Sequence, residues 1–262
     1  MPTEKDIAIV LRTVDFSESS VIATLFTREH GKISGLAKGA RRLKSSFDSA
    51  LDLLGLCRIV FLRKSSDTLD LLTEAKVVRR FRLRGRSLAG FYAGCYVVEL
   101  VTLLTQEYDP HPDLFDLTDR TLERLAENEN VPHDVLAFEL GILKSLGYWP
   151  SLDTCVGCGC EVVPQRNRVF FGLLDGGVLC PRCRPTRRSV MALGENAWRV
   201  LKDSQSVEGS EAKDTTGTTT NHGSWTEWSP QVRGELRGLI NGYIRNLLGR
   251  KPRMHEYLGL LT

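Results

Sequence analysis

The first third of the chain alternates between apolar and other positions. Ile7, Ile9 and Leu11 interleave with Ala8, Val10 and Arg12, and short β-type runs follow at 21–27, 31–38, 56–63 and 69–76. Turn-forming residues separate them: Ser17, Glu18 and Ser19, then His30 and Gly31, later Ser65, Ser66 and Asp67. Five strands in this space, with glycines inside the third where a barrel has to bend, predict a small closed barrel of the oligonucleotide-binding (OB) kind. An SH3-like barrel fits the same strand count. Between strands three and four, Phe47, Leu51 and Leu54 within 45–54 predict a short helix.

Beyond the barrel the period becomes helical. A basic run, Arg79, Arg80, Arg82, Arg84 and Arg86, leads into 88–105, which is apolar nearly all round and reads as a central bundle helix. Its Gly90 and Gly94 permit close helix packing. Asp113 is placed to cap a second helix with the stripe Leu114, Leu117, Thr118, Leu122 and Leu125, ending near Asn128. A third helix spans 133–146, with Gly147 as its stop. The clearest helix is the last long one: Ser229 caps it, Pro230 opens it, Leu236, Leu239, Ile240, Tyr243 and Ile244 line it, and Gly249 ends it. The earlier helices are expected to supply its partner. Residues 204–224, rich in Ser, Thr and Gly without apolar periodicity, predict a disordered surface insertion.

Charge changes this picture more than composition does. The 262 residues carry a formal net charge of +3, but 1–86 hold 17 Lys and Arg against 10 Asp and Glu, while 87–150 hold 3 against 11. A basic module for a polyanion joined to an acidic module with other work is the implied plan. The longest apolar run, 88–104, contains Glu99 and four small residues and reads as a buried helix rather than a membrane span. With no signal-like start, the expected location is cytoplasmic and nucleoid-associated, with no membrane partner. Seven cysteines in such a compartment argue for thiols or metal rather than disulfides.

The most specific chemical signal is Cys155-x-x-Cys158 followed by Cys180-x-x-Cys183, with a β-hairpin pattern from Arg168 through Asp175, Gly176 and Gly177 to Leu179 between them. Two such knuckles place four thiolates tetrahedrally about one structural Zn²⁺, which predicts a zinc ribbon. Cys160 is read as a bystander, because pairing it with Cys155 would break the symmetry with the second knuckle; Cys57 and Cys95 lie in apolar runs and read as core. A closed Cys₄ site leaves no position for a reacting water. His30, His111, His133, His222 and His255 are scattered, so neither the metal nor a histidine supports catalysis and a zinc hydrolase ranks last. Gly31-Lys32 is not a Walker A element, since Phe26 and Ile33 stand where Gly and Ser or Thr are needed, so no nucleotide cofactor is expected.

The stretch 31–44, GKISGLAKGARRLK, has five Lys or Arg and no carboxylate. As a strand it aims Lys32 and Lys38 the same way, and Arg41, Arg42 and Lys44 follow on a loop. With Arg79, Arg80 and Arg82, these are the candidate DNA-binding residues, making sequence-indifferent phosphate contacts. Stacking candidates are Phe16, Phe26, Phe47, Phe61 and Phe81, several of which must be core. The runner-up reading is a zinc-ribbon regulator or RNA-binding factor that uses Arg166, Arg168, Arg182, Arg184, Arg187 and Arg188.

The opening IVLRTVDFSESSVIATLFTREHGKISGLAKGARRLKS, and later LGYWPSLDTCVGCG followed by CPRC, resemble the bacterial recombination mediator and DNA repair family RecO over nearly the whole chain except 204–224. The resemblance implies an α+β architecture: an OB barrel over 1–80, a helical domain over 81–150 and 190–262, and a zinc-ribbon insertion over 151–189. It also implies a function without enzymatic turnover. The family binds single- and double-stranded DNA, anneals complementary strands without ATP, and acts with RecR to load the RecA recombinase onto DNA coated by single-strand-binding protein. On that resemblance Lys38, Arg41, Arg42 and Lys44 touch DNA.

Overall fold

The structure is a computed structural model describing residues 2–42, 45–47, 50–64, 69–85, 87–206 and 228–258. It has two compact units, Met1–Leu146 with Lys251–Thr262, and Gly147–Arg250.

In the first unit, β1 (Thr3–Asp15), β2 (Val21–Thr27), β3 (Gly31–Ala37), β4 (Leu56–Leu62) and β5 (Asp70–Arg79) close a barrel in the order β1-β2-β3-β5-β4. β1 pairs with both β2 and β4, and β3 runs parallel to β5 from Gly35↔Asp70 to Ala37↔Leu72. That order is the OB barrel and removes the SH3-like alternative. Gly35 makes the closure possible: a Cβ there would sit 2.7 Å from Leu72 Cγ. Inside, Ala8, Ala23 and Ala75 alternate with Leu25, Ile59 and Phe61, small against large, which fills a narrow barrel.

Among the described residues of 45–54 the expected short helix is not found; they make turns, with Ala50 N–H donating to Phe47 O at 2.6 Å and Gly55 N–H to Asp52 O at 3.0 Å. The apolar spacing has another cause: Phe47 and Ala50 are buried against the barrel core. β1 also departs from simple alternation, since Ala8, Ile9, Val10 and Leu11 are all buried. Ala8 and Val10 face the interior, while Ile9 pairs with Phe26, whose ring lies 5.9 Å from Phe115 of the helical part. One outer face of the barrel is therefore a second core.

That core is completed by α1 (Ala89–Leu104), α2 (Pro112–Glu127) and α3 (Val131–Ser145). α1 and α2 approach closely at Gly90, where a Cβ would meet Leu125 O at 2.1 Å. α2 begins one residue before the expected cap: Pro112 takes its first turn and Asp113 lies inside the helix. The short α6 (His255–Leu258) returns to this unit, with Tyr257 stacked on Tyr92 at 5.2 Å and the N–H groups of Arg253 and Met254 donating to the Glu99 carboxylate at 2.7 and 2.8 Å. Glu99, anomalous in its apolar run, is thus an anchor for the C-terminal segment.

The second unit holds a three-stranded antiparallel sheet, β7-β6-β8, of β6 (Arg168–Gly172), β7 (Gly177–Leu179) and β8 (Val190–Gly194), with α4 (Glu195–Ser206) and α5 (Pro230–Leu248). Trp198 Nε1 donates to Leu152 O at 2.9 Å, and Phe171 meets Tyr243 edge-on at 5.8 Å. α5 is capped as its sequence predicts, Ser229 Oγ accepting from Val232 N and Gly249 left-handed at its end. Its apolar face packs on α4 and β8. Of the expected insertion, 204–206 close α4, with Ser204 Oγ donating to Val200 O at 2.8 Å, and 207–224 lie outside the described residues.

Lys32 joins the barrel to α1. Its ammonium donates to the carbonyls of Thr102 at 2.7 Å and Thr105 at 2.6 Å, where unpaired carbonyls and the helix dipole favour a cation. Burial draws its pKa below the ordinary lysine value, with Glu107 pulling the other way. We predict that Lys32→Met lowers stability by about 1–3 kcal/mol, as expected when a charge-assisted hydrogen bond is lost. Urea unfolding checks this; an unchanged midpoint removes Lys32 from the account of the fold.

Candidate nucleic-acid interface and metal centre

The eight basic candidates separate by what they touch. Lys32 is committed to α1. Arg79 pairs with Asp119 and, at 3.4 Å, with Glu123; Arg80 pairs with Asp52 at 2.9 Å. Two neighbours that sequence alone leaves free follow the same pattern: Arg28 grips Asp116 at 3.0 and 2.9 Å, and Arg84 meets Glu127. Asp116, Asp119, Glu123 and Glu127 recur at helical spacing along α2, so this helix carries a carboxylate stripe that neutralises one row of arginines. The Arg28 guanidinium holds the Asp116 carboxyl below its usual range, whereas burial pushes Asp119 up against the pull of Arg79. Arg82, exposed on the same connection, has no ion pair among the described residues.

Lys38, Arg41 and Arg42 remain. They leave β3 on one exposed turn, where Arg42 folds across Gly39. Arg41 N–H donates to Ser19 O at 3.1 Å, tying this turn to the β1–β2 hairpin, and its guanidinium reaches Asp15 at 2.8 Å. Both partners of that pair are over half exposed, so it contributes about 0–1 kcal/mol. Lys44 lies outside the described residues. The hairpin adds Arg12, exposed late in β1, and Phe16, 60% exposed, while Phe26, Phe47 and Phe61 are core. Of the stacking candidates Phe16 alone is presented to solvent to this degree. Strict alternation would set Arg12 on the same side as Ala8 and Val10, which face the interior; a register shift between Val10 and Arg12 leaves it exposed, so its sequence signal was only its place beside a turn rich in serine.

The cysteines converge. The Sγ atoms of Cys155, Cys158, Cys180 and Cys183 all lie within 4.8 Å of one another, and Cys158 to Cys180 is 3.7 Å. A tetrahedral thiolate site with metal–sulfur bonds of about 2.3 Å requires sulfur separations of about 3.8 Å. Backbone geometry supports the ligands: Gly157 and Cys180 N–H point at Cys155 Sγ at 3.4 and 3.3 Å, and the N–H groups of Cys183 and Arg182 draw the Cys180 thiol down to about 6. Four residues can therefore hold one metal ion. Cys160 Sγ lies 3.4 Å from Cys158 but outside that quartet, and it is exposed. Burial pushes Cys57 up to about 12 and Cys95 up to about 11, as suits thiols packed in a core.

Comparison with known proteins now decides the family. The family description "Recombination protein O N terminal" matches residues 1–81 and "Recombination protein O C terminal" matches 86–203. The chain belongs to the RecO family. Among RecO relatives named DNA repair protein RecO, that of Rhodopirellula baltica is 40% identical, covering 96% of this chain and 97% of its own. Those of Myxococcus xanthus and Anaeromyxobacter dehalogenans are 32% and 36% identical, covering 97% and 98% of this chain and 96% of their own lengths. A role in DNA repair and recombination follows from RecO membership. Among the described residues no helix is long and apolar enough to cross a membrane.

For the cysteine cluster we predict one tightly held divalent ion per chain by elemental analysis. Cys183→Ser should lose it and Cys160→Ser should keep it; the reverse pattern would make Cys160 the ligand.

Proposed function

We propose that this chain is a non-enzymatic mediator that binds single- and double-stranded DNA and anneals complementary strands without ATP. With RecR, it helps load RecA onto strands coated by single-strand-binding protein. The reading rests on the family and on one observation: Lys38, Arg41 and Arg42 stand on one turn, hydrogen-bonded to a hairpin that presents Phe16. Cations there reduce repulsion between two phosphate backbones, and base pairing supplies the free energy of annealing. An exposed aromatic offers a stacking surface indifferent to sequence. The cluster's ion is Zn²⁺, one per chain, and structural, because four thiolates leave no open position. The proposed location is the cytoplasm, with the nucleoid.

The test is strand binding and annealing by Lys38→Ala, Arg41→Ala and Arg42→Ala combined. We expect weaker binding to every sequence, slower annealing, and a log K against log salt slope flatter by about 0.7 per lost single-strand contact. A wild-type slope would remove the β3 turn from the DNA surface. Phe16→Ala should weaken single-strand binding while leaving the slope unchanged, which separates stacking from charge.

A further inference from the structure

In the second unit, a groove of about 460 Å³ opens beside the cysteine cluster. Its volume lies within the range of about 300–1,000 Å³ of pockets that bury small flat ligands. Val162, Val163, Val169, Leu179 and Pro181 supply apolar lining, and Val163 is 63% exposed. Phe170 forms part of the wall, with the Arg184 guanidinium 3.6 Å above the centre of its ring. Arg168 and Arg182 stand in the lining itself, and Glu161 is the single carboxylate there.

The charge around this groove is not spent inside the protein. Arg187 pairs with Asp175 at 2.9 Å, but Arg166, Arg168, Arg182, Arg184 and Arg188 are exposed and have no ion pair among the described residues. This contrasts with the barrel, where the α2 carboxylates occupy Arg28, Arg79 and Arg84. A loaded Cys₄ site contributes a formal charge of about −2, which five such arginines exceed. An apolar slot bordered on several connections by unpaired cations matches a ligand whose flat apolar groups alternate with anions. Arg184, over the Phe170 ring, extends an aromatic face into a cationic stacking surface.

We propose that this groove is a second nucleic-acid site, seating an unstacked base of a single strand while Arg168, Arg182 and Arg184 hold the flanking phosphates. The proposal rests on the strand-handling reading and adds to it a place for a strand apart from the β3 turn. A ribbon that is structural through its metal would thus also carry a binding surface on its outside.

The experiment uses the full-length metal-loaded chain and fluorescein-labelled oligothymidylate, either intact or carrying an abasic tract. The wild type should prefer the intact strand by about fivefold or more, as expected for one stacked base. Arg168→Ala, Arg182→Ala and Arg184→Ala combined should reduce that preference to the part owed to Phe16, abolish it when made together with Phe16→Ala, and flatten the salt slope by about 2. The Lys38, Arg41, Arg42 variant should keep the preference. If the ribbon variant loses metal, Arg182→Glu alone, at an exposed position, should reproduce the effect.

Equal binding of intact and abasic strands by the wild type, or a ribbon variant with wild-type slope and preference, would overturn the groove site. So would unchanged DNA binding with loss of a synthetic peptide of Asp and Phe, which would assign the groove to an acidic protein segment. If only the β3-turn variant weakens binding, the groove falls and the proposed function stands. If neither does, the strand-handling reading falls with it.

Discussion

The carboxylate stripe of α2 constrains the rest of the first unit. An OB barrel offers several outer faces, and the first 86 residues carry enough Lys and Arg to make any of them basic. Asp116, Asp119, Glu123 and Glu127 decide the matter by taking up Arg28, Arg79 and Arg84, while the carboxyl end of α1 takes Lys32. Of these pairs Arg79–Asp119 is the most buried, so breaking it would leave charge in a poorly solvated place, whereas Arg28–Asp116 and Arg84–Glu127 lie nearer the solvent. The β3 turn, the β1–β2 hairpin and Arg82 lie beyond the reach of these carboxylates.

This division explains which parts were legible in the sequence. Strand existence was readable because period-two alternation is local, and Val21–Thr27 fell where its pattern put it. The cysteine quartet was readable because ligand spacing is local too. The fate of each arginine was not, because Arg79 and Asp119 are 40 residues apart in sequence and meet only through the docking of α2. The block charges of +7 and −8 were read as two modules with separate work, when a good part of each is used against the other. The expectation of a helix at 45–54 has a related cause: Phe47 and Ala50 are spaced for the barrel interior, and spacing alone does not say which core an apolar residue will join. The apolar stripe of α5 was clear, while α4 and β8, on which it packs within its own unit, were not announced by it.

The second unit is small for its content. Residues 155–183 bury few large side chains, chiefly Phe171, and a segment of this size needs a further tether. A metal held by the cysteine cluster would supply it by joining the knuckle at 155–158 to the one at 180–183. A metal held there constrains both ends of the hairpin, so the outer face of β6 and its arginines inherit a fixed geometry without requiring a core beneath them.

On the proposed reading, weak local pairing is what the β3 turn needs. A mediator has to receive a strand and then give it up, which a deep, desolvated clamp would oppose. Arg41 and Asp15 form an exposed pair that water and salt screen, so phosphate displaces Asp15 at small cost and Asp15 recovers Arg41 when the strand departs. Affinity built in this way is spread over several modest contacts and falls with ionic strength. The more buried pair Arg79–Asp119 holds α2 to the barrel, and the exposed one at the hairpin is left to exchange.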